Sequence, residues 1–292
     1  MLIMKEVECI LDKGGFEYCR YDGCFDIAAT RDFTLFLKIL GNVDSFQESQ
    51  ATNLKILSRD FNATVAIVGV HTRRENLENN ILYERFEIPT FTTATLENIV
   101  VNDMFPFLYR FRGGLFAEIN PEKLRARRAR AGLTQQELAD EVGITKKNVY
   151  EHEHARKKAV HVTVKRIEKL IGKVTDPLNL RADFSHVVNE PKERFERIVY
   201  KDFRRIGFYA DFVGQTPFNI VAKNHSIMIV SKADENRKRI EKDVPHILMF
   251  SEVMDLPAIA VTKEKMDLDI PTIKEEELRE IRYVKDLKKM LR

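Results

Sequence analysis

Residues 133–153 read LTQQELADEVGITKKNVYEHE, and this segment is predicted to form two short helices joined by a tight turn. Thr134 and Glu137 have the spacing of a capping box, so a helix is expected over 135–142. Gly143 permits the left-handed backbone of a sharp turn. Thr145 can cap a following helix that runs to about residue 154. The order of helix, glycine turn and helix is typical of a DNA-reading unit.

Two further helices are predicted around this pair. Asn120-Pro121-Glu122 can begin one of them, because asparagine caps free amides, proline fixes the first φ angle and glutamate meets the positive end of the helix dipole. Gly132 ends that helix, and another is expected over about 163–171. The apolar side chains expected to fill the centre of one all-α bundle are Leu124, Ala131, Leu133, Leu138, Ala139, Val142, Ile144, Val149, Ile167 and Leu170.

The positive charge of the chain is concentrated in the same region. Residues 121–173 hold 14 Lys and Arg against seven Asp and Glu, a net charge of +7, while the rest of the chain carries −4. A basic island between mildly acidic flanks is the charge distribution expected of one nucleic-acid-binding module within a larger protein.

The segments on either side of the basic island have similar predicted element orders, read from helical spacing and β-branched runs. The first segment is predicted as a helix over 2–11, strands over 16–21, 25–30 and 34–40, a helix over 46–61 and a strand over 63–70. The last segment is predicted as a helix over 193–206, strands over 218–222 and 226–230, a helix over 235–253 kinked at Pro245, and a strand over 258–261.

Short sequence matches support an internal duplication of these flanks. Phe25–Ala29 resembles Phe218–Ala222, and Leu37-Lys38 corresponds to Ser231-Lys232. In the strongest match, Ile88-Pro89-Thr90 corresponds to Ile270-Pro271-Thr272, and Leu96 and Ile99 then recur as Leu278 and Ile281 at the same offsets. We therefore predict an α+β multidomain fold, in which a central all-α bundle at 117–178 separates two duplicated α/β domains at 1–116 and 179–292.

The residues from Leu133 to Thr145, followed by Val149 and Glu153, resemble the helix-turn-helix of the Cro/C1 type, also called the XRE type. The whole layout is similar to archaeal proteins described as HTH-type transcriptional regulators. The resemblance implies a helix over about 146–154 that reads the major groove, and double-stranded DNA as the partner. Glu153 is expected to be structural and to bond the backbone or an arginine of the module.

The residues that the resemblance assigns to DNA contact are polar and lie at helix starts or just after the reading helix. Lysine suits guanine acceptors, asparagine can pair with adenine, and tyrosine can pack on a thymine methyl group or bond a phosphate. The arginines of the first helix could add phosphate contacts. The predicted DNA-binding residues are Thr134, Gln135, Thr145, Lys146, Lys147, Asn148, Tyr150, His154, Arg156 and Lys157.

The flanking segments resemble PD-(D/E)xK nuclease folds, in which two carboxylates hold a divalent metal and a lysine steadies the transition state. The first flank offers Asp26 and Lys38, but Phe36 stands where the second acid belongs. The last flank offers Asn219 and Lys232. We therefore expect degenerate nuclease-like domains, no metal, no cofactor and no enzymatic activity. A substituting acid at Glu17 or Glu48 is a minor alternative.

The function predicted from the sequence is sequence-specific binding of double-stranded DNA by a homodimer, with repression favoured over activation and the small-molecule effector unidentified. Two alternatives stay open, a metal-dependent nuclease and an adaptor that binds RNA or protein. No stretch has the ~20 apolar residues of a membrane span, and the start of the chain lacks the features of a signal peptide. With only three cysteines, a cytoplasmic location without membrane attachment is expected.

Overall fold

The computed structural model describes residues 2–291. The first elements of the chain are α1 (Leu2–Lys13), β1 (Glu17–Arg20), β2 (Ile27–Thr30), β3 (Thr34–Asn42), a 3₁₀ turn (Val43–Ser45), α2 (Glu48–Phe61) and β4 (Thr64–His71). The middle elements are β5 (Ile81–Arg85), β6 (Ile88–Phe91), α3 (Thr93–Val100), β7 (Leu108–Phe111), β8 (Gly114–Ile119), α4 (Pro121–Arg130), α5 (Gln135–Val142), α6 (Lys146–His154), β9 (Lys157–Val160) and α7 (His161–Ile171). The last elements are α8 (Arg194–Ile206), β10 (Tyr209–Phe212), β11 (Ile220–Lys223), β12 (Met228–Ala233), α9 (Arg237–Met254), β13 (Ala258–Thr262), β14 (Thr272–Lys274), α10 (Glu275–Glu280) and α11 (Val284–Met290).

The chain folds into two compact units. Unit 1 contains the residues up to 40, residues 45–67 and the residues from 181 onward, and unit 2 contains 41–44 and 68–180. Unit 1 therefore joins the two ends of the sequence. Compact units need not coincide with evolutionary domains, so the three-part division at 1–116, 117–178 and 179–292 stays a prediction.

Both ends of the chain contribute the same succession of elements to unit 1. In the first half, β1, β2 and β3 form an antiparallel meander, with Ile27 opposite Leu37, and β4 lies next to β3. In the second half, β10, β11 and β12 form the same meander, with Ile220 opposite Ser231, and β13 runs parallel to β12. In each half the first three strands follow a helix, α1 or α8, and a second helix precedes the fourth strand.

A cluster of phenylalanine rings joins the two halves of unit 1. Phe250 of α9 packs against Phe218 of its own half, with ring centroids 4.7 Å apart, and against Phe36 and Phe25 of the first half at 6.2 Å. All four side chains are at most 1% exposed. Because each aromatic side chain buries a large apolar area, the halves share one hydrophobic core.

An ion network also joins the two halves. Arg59 of α2 donates to Asp60 at 3.1 Å and lies 2.6 Å from Asp211 of β10. Lys223 of β11 donates to the same Asp60 carboxylate at 2.9 Å. Asp60 and Asp211 are both 5% exposed, so two carboxylates are buried together with two cations.

Unit 2 is a mixed sheet with helices packed on it. Its strands lie in the order β6-β5-β7-β8-β9, and β8 pairs antiparallel with both β7 and β9. Ala117 and Ile119 of β8 and Ala159 of β9 are buried in the same cluster as Leu138 and Val149 of the helices. The helices over 121–171 therefore complete their core with strands.

The predicted fold class is wrong because this region is not a central all-α bundle. Residues 157–160 were expected to be a basic segment after a helix, but they form β9, which lies opposite β8 with Ala159 beside Ala117. A four-residue strand with two lysines carries too weak an alternation to be recognised from sequence alone. Leu170, predicted in the core, is 45% exposed.

Within residues 2–291, no helix combines the length and apolar composition that crossing a membrane requires. The cytoplasmic location stays a prediction.

We expect Asp211→Asn to remove part of the pH dependence of stability. Burial raises the pKa of Asp211 to about 6, and the neighbouring Asp60 carboxylate adds to the rise. Because the pKa is higher in the folded state, the contribution of this group to stability is lost as pH rises from about 4 to about 6. The loss is on the order of 3 kcal/mol. Urea denaturation at several pH values should show this falling limb in the wild type.

The matched control is Asp32→Asn, whose side chain is 81% exposed and which should keep the wild-type pH dependence. An Asp211→Asn variant whose free energy of unfolding falls as steeply as that of the wild type over this range would contradict the assignment.

Candidate nucleic-acid interface

The turn between α5 and α6 has the local geometry predicted from its sequence. The Thr134 hydroxyl accepts from the Glu137 amide at 3.2 Å, and the Glu137 carboxylate accepts from the Thr134 amide at 2.7 Å. Gly143 has φ +76° and ψ 42°, a backbone that side chains with a Cβ disfavour. Thr145 caps α6 by accepting from the Asn148 amide at 3.1 Å. The predicted capping box, turn and caps are confirmed.

Helix α6 presents one buried face and one exposed face. Val149 and Glu153, four residues apart and hence on the same side of the helix, are each 1% exposed. Lys146, Lys147 and Asn148 are exposed. Neither lysine forms an ion pair with any residue in 2–291. The two ammonium groups are thus available to an external anion.

Glu153 joins three helices through its carboxylate. Arg128 of α4 donates to it through Nε at 2.6 Å and Nη2 at 3.2 Å, and Gln135 of α5 donates through Nε2 at 2.6 Å. Arg125 donates to the Glu153 carbonyl oxygen at 2.7 Å. Burial acts to raise the pKa of Glu153, but the bonds from Arg128 and Gln135 outweigh it, so the pKa lies below its ordinary value. The expected structural role of Glu153 is confirmed.

The remaining predicted contact residues make local interactions. Tyr150, which is 52% exposed, stacks on His154 with ring centroids 3.9 Å apart, and the His154 Nδ1 atom lies 2.7 Å from the Tyr150 carbonyl oxygen. Arg156 lies 3.2 Å from Asp176, and Lys157 lies 2.8 Å from Glu151. Because exposed ion pairs are weak, these two cations can exchange partners. Contact with DNA by any of the predicted residues stays a prediction.

Two interactions on this surface were not predicted from the sequence. The side-chain amide nitrogen of Gln135, a predicted DNA-binding residue, donates to buried Glu153. The stacked pair of Tyr150 and His154 is the second feature. Its signal is the four-residue spacing of two rings on a helix, which places them one turn apart.

The nuclease-like residues of unit 1 form closed polar pairs. Asp26 accepts from Lys38 Nζ at 2.8 Å and from the Ile39 amide at 2.6 Å, and it is 7% exposed. Burial raises the pKa of Asp26 despite these bonds. In the other half, Asn219 holds the corresponding strand position and donates to Glu196 at 2.9 Å, while Lys232 lies 2.7 Å from Asp243.

These side chains do not fit a divalent metal ion. Magnesium needs several oxygen ligands. The Asp26 carboxylate already accepts two hydrogen bonds, and Phe36, a fully buried ring, stands at the position of the second acid. Within residues 2–291, no group of three or more His, Cys, Asp or Glu side chains could hold a metal. The predicted substitutes Glu17 and Glu48 are exposed.

The fold and the site together define a mixed α/β protein with an exposed basic helix beside a glycine turn. Residues 1–106 match a family model described as a PD-(D/E)XK superfamily domain. A protein of Thermococcus gammatolerans named "Putative HTH-type transcriptional regulatory protein" is 31% identical over 95% of this chain and 92% of its own. Proteins of the same description from Pyrococcus horikoshii and Archaeoglobus fulgidus are 30% and 29% identical, over 95% and 89% of their own lengths.

The chain belongs to this family of archaeal HTH-type transcriptional regulatory proteins. The family description is consistent with a regulator that binds DNA. No solved structure shows significant similarity to the chain.

The family match at the start of the chain corrects one expectation. Residues 1–106 match a model of the PD-(D/E)XK nuclease superfamily, so the prediction that the chain is not an enzyme is wrong as stated. That prediction recognised the nuclease-like fold and rested on the absence of a second acid beside Lys38.

We expect Glu153→Ala to lower the free energy of unfolding by roughly 3–5 kcal/mol, because removing one partner leaves the mostly buried guanidinium of Arg128 uncompensated. Glu153→Gln, which retains the shape and one acceptor, should cost less. Glu151→Ala is the matched control on the same helix, and removal of its exposed pair with Lys157 should cost far less stability than Glu153→Ala.

Urea denaturation of the three variants measures these differences. If Glu153→Ala and Glu151→Ala were equally stable, the network would not hold the three helices together.

Proposed function

We propose that this protein binds double-stranded DNA sequence-specifically through α6 and acts as a transcriptional regulator, with repression favoured over activation. The observation that carries the proposal is the exposed pair Lys146 and Lys147, which form no ion pair within residues 2–291, at the start of a helix that Val149 and Glu153 fix to the rest of the unit. The family description of the archaeal relatives agrees with it.

In this proposal, three groups of side chains contact different parts of the DNA. Lys146, Lys147 and Asn148 contact base edges, because lysine donates to guanine and asparagine pairs with adenine. The stacked Tyr150 and His154 lie one turn further along and pack against a thymine methyl group or the sugar-phosphate backbone. The residues that contact phosphates and fix the register of the helix are Thr134, Gln135, Thr145, Arg156 and Lys157.

We assign the unit to the Cro/C1 type on the strength of its local sequence and caps. A second helix with a threonine capping box, a left-handed glycine and a threonine cap on the next helix are the features that carry the resemblance. The packing of these helices on β8 and β9 is an addition to a plain helical module.

The proposed active form is a homodimer. One reading helix covers only a half-site, and a two-fold dimer would bind two half-sites about one helical turn of DNA apart. A dimer also doubles the number of phosphates neutralised, which steepens the salt dependence of binding.

The direct test is DNA affinity of a double variant. Lys146→Ala with Lys147→Ala should weaken binding to a duplex selected from random DNA by roughly 1–3 kcal/mol for each base-specific interaction that the substitutions remove. Fluorescence anisotropy with labelled duplex over a range of salt concentrations measures this weakening. If one lysine binds a phosphate, the salt slope should also fall by about one unit.

Lys165→Ala with Lys169→Ala is the matched control, because both lysines are exposed on α7 and removal changes the net charge equally. Equal weakening by the two double variants would show a nonspecific effect of charge and reject α6 as the reading helix. Tighter binding to RNA than to duplex DNA would favour the adaptor alternative.

Metal-dependent hydrolysis of DNA is a second candidate function. It is supported by the family match of residues 1–106 and by the proximity of Asp26, directly before β2, to Lys38 of β3. Because the metal ligands are incomplete, we derive no mechanism. The candidate predicts that supercoiled plasmid is cut with Mg²⁺ or Mn²⁺, that Asp26→Ala abolishes cutting and that Asp32→Ala does not. Intact plasmid with both metals, or cutting by Asp26→Ala, rejects it.

A further inference from the structure

Unit 2 contains a cavity of about 550 Å³ beside the helices of the proposed DNA-reading region. Its wall is formed by α7, by β7 and β8, and by the irregular segment that precedes β7. Phe105, Phe107, Leu108 and Val164 supply most of its apolar lining. This volume lies within the range of about 300–1,000 Å³ that is typical of small-molecule sites.

The aromatic rings of the wall are only partly covered. Phe105 and Phe107 are half-buried, although neighbouring Pro106 is buried. Met104, on the same segment, is 59% exposed. A planar apolar molecule placed in the cavity would cover these rings, and aromatic pairs add to the free energy gained from burial alone.

One cation without a carboxylate partner among the described residues lines the cavity. Lys173 lies 3.5 Å above the Phe107 ring centroid and forms no ion pair with any carboxylate in the described chain. The carboxylate of Glu168 also lines the cavity and is held in place, because it accepts from the Thr175 hydroxyl at 2.9 Å and the Val174 amide at 3.0 Å. Asp103 lines the cavity as well, and because Asp103 and Lys173 are both exposed, water and salt screen both charges.

We propose that this cavity binds a small aromatic carboxylate. The ring would pack between Phe105, Phe107 and Val164, and the carboxylate would pair with the Lys173 ammonium. An apolar cavity with one unpaired cation in its lining can hold an anionic aromatic molecule whose carboxylate reaches Lys173.

The position of the cavity connects it to DNA binding. Val164 of α7 lines the cavity and belongs to the same buried cluster as Val149 of α6. A ligand that contacts α7 therefore shares packed neighbours with the reading helix, and its differential contacts can shift the position of that helix. This effector role rests on the proposed DNA-binding function, whereas ligand binding itself does not.

Isothermal titration calorimetry of the full chain tests binding without DNA. The probes are benzoate and phenylacetate, compared with the neutral benzamide and the cationic benzylamine. We expect the carboxylates to bind at least about tenfold more tightly than benzamide, and benzylamine to bind more weakly still. Phe107→Ala, at a half-buried position, should weaken all the aromatic probes.

Lys173→Met tests the contribution of the lysine charge separately from that of the apolar lining. This variant should lose the preference for carboxylates and keep weak binding of benzamide, whereas Lys169→Met, at an exposed position on α7 outside the lining, should bind as the wild type does. Circular dichroism verifies the fold of each variant. The proposal is overturned if no heat is detected up to about 10 mM probe, if carboxylate and amide bind equally, or if Lys173→Met retains the preference.

Adding benzoate to the anisotropy assay tests the connection to DNA. We expect a change in DNA affinity that Lys173→Met abolishes. If calorimetry shows that benzoate binds but DNA affinity does not change, the proposed ligand site stands and only its effector role is rejected. If the protein binds no DNA at all, the calorimetric result still stands, so failure of the two proposals can be distinguished.

Discussion

The buried carboxylate of Glu153 is the constraint on which the arrangement of α6 depends. A charge removed from water must be paired, and its partners here come from two other helices, Arg128 of α4 and Gln135 of α5. Val149 lies one turn earlier on the same face and is equally buried. With that face fixed, Lys147 lies on the opposite, exposed side of the helix, and Lys146 is exposed at the first residue of α6.

Unit 1 illustrates how a nuclease-like framework can be stabilised by ion pairs. Asp26, directly before β2, pairs with Lys38 of β3, and Asn219 and Lys232 hold the equivalent positions in the other half. The two halves are further connected by the phenylalanine cluster around Phe250 and by the ion network around Asp60. In both halves a lysine that could act in catalysis instead neutralises a buried carboxylate. The match to the PD-(D/E)XK superfamily nevertheless keeps nuclease chemistry open to experiment.

Features encoded by neighbouring residues could be predicted from the sequence, and features that depend on distant pairing could not. The caps at Asn120, Thr134 and Thr145 and the left-handed Gly143 involve residues at most three positions apart, and the structure confirms each. Strand β9 was missed because its partner β8 lies some 40 residues earlier. Pairing between distant residues also explains two other features that were not predicted. These are the joining of the two ends of the chain in unit 1 and the packing of strands into the predicted helical core. At the candidate site, the exposure of Lys147 was predictable from helical spacing, and that of Lys146 from its place at the start of α6. The inward bond of Gln135 was not, because it depends on where Glu153 lies.

One surface, the exposed face of α6, is proposed to be responsible for binding DNA. Lysine acetylation footprinting of the wild-type chain tests this proposal. Mass spectrometry measures the acetylation of each lysine with and without a selected duplex. We predict that the duplex protects Lys146 and Lys147 and leaves Lys165 and Lys169 fully reactive. Protection of the α7 lysines with unchanged reactivity at Lys146 and Lys147 would contradict the proposed role of α6.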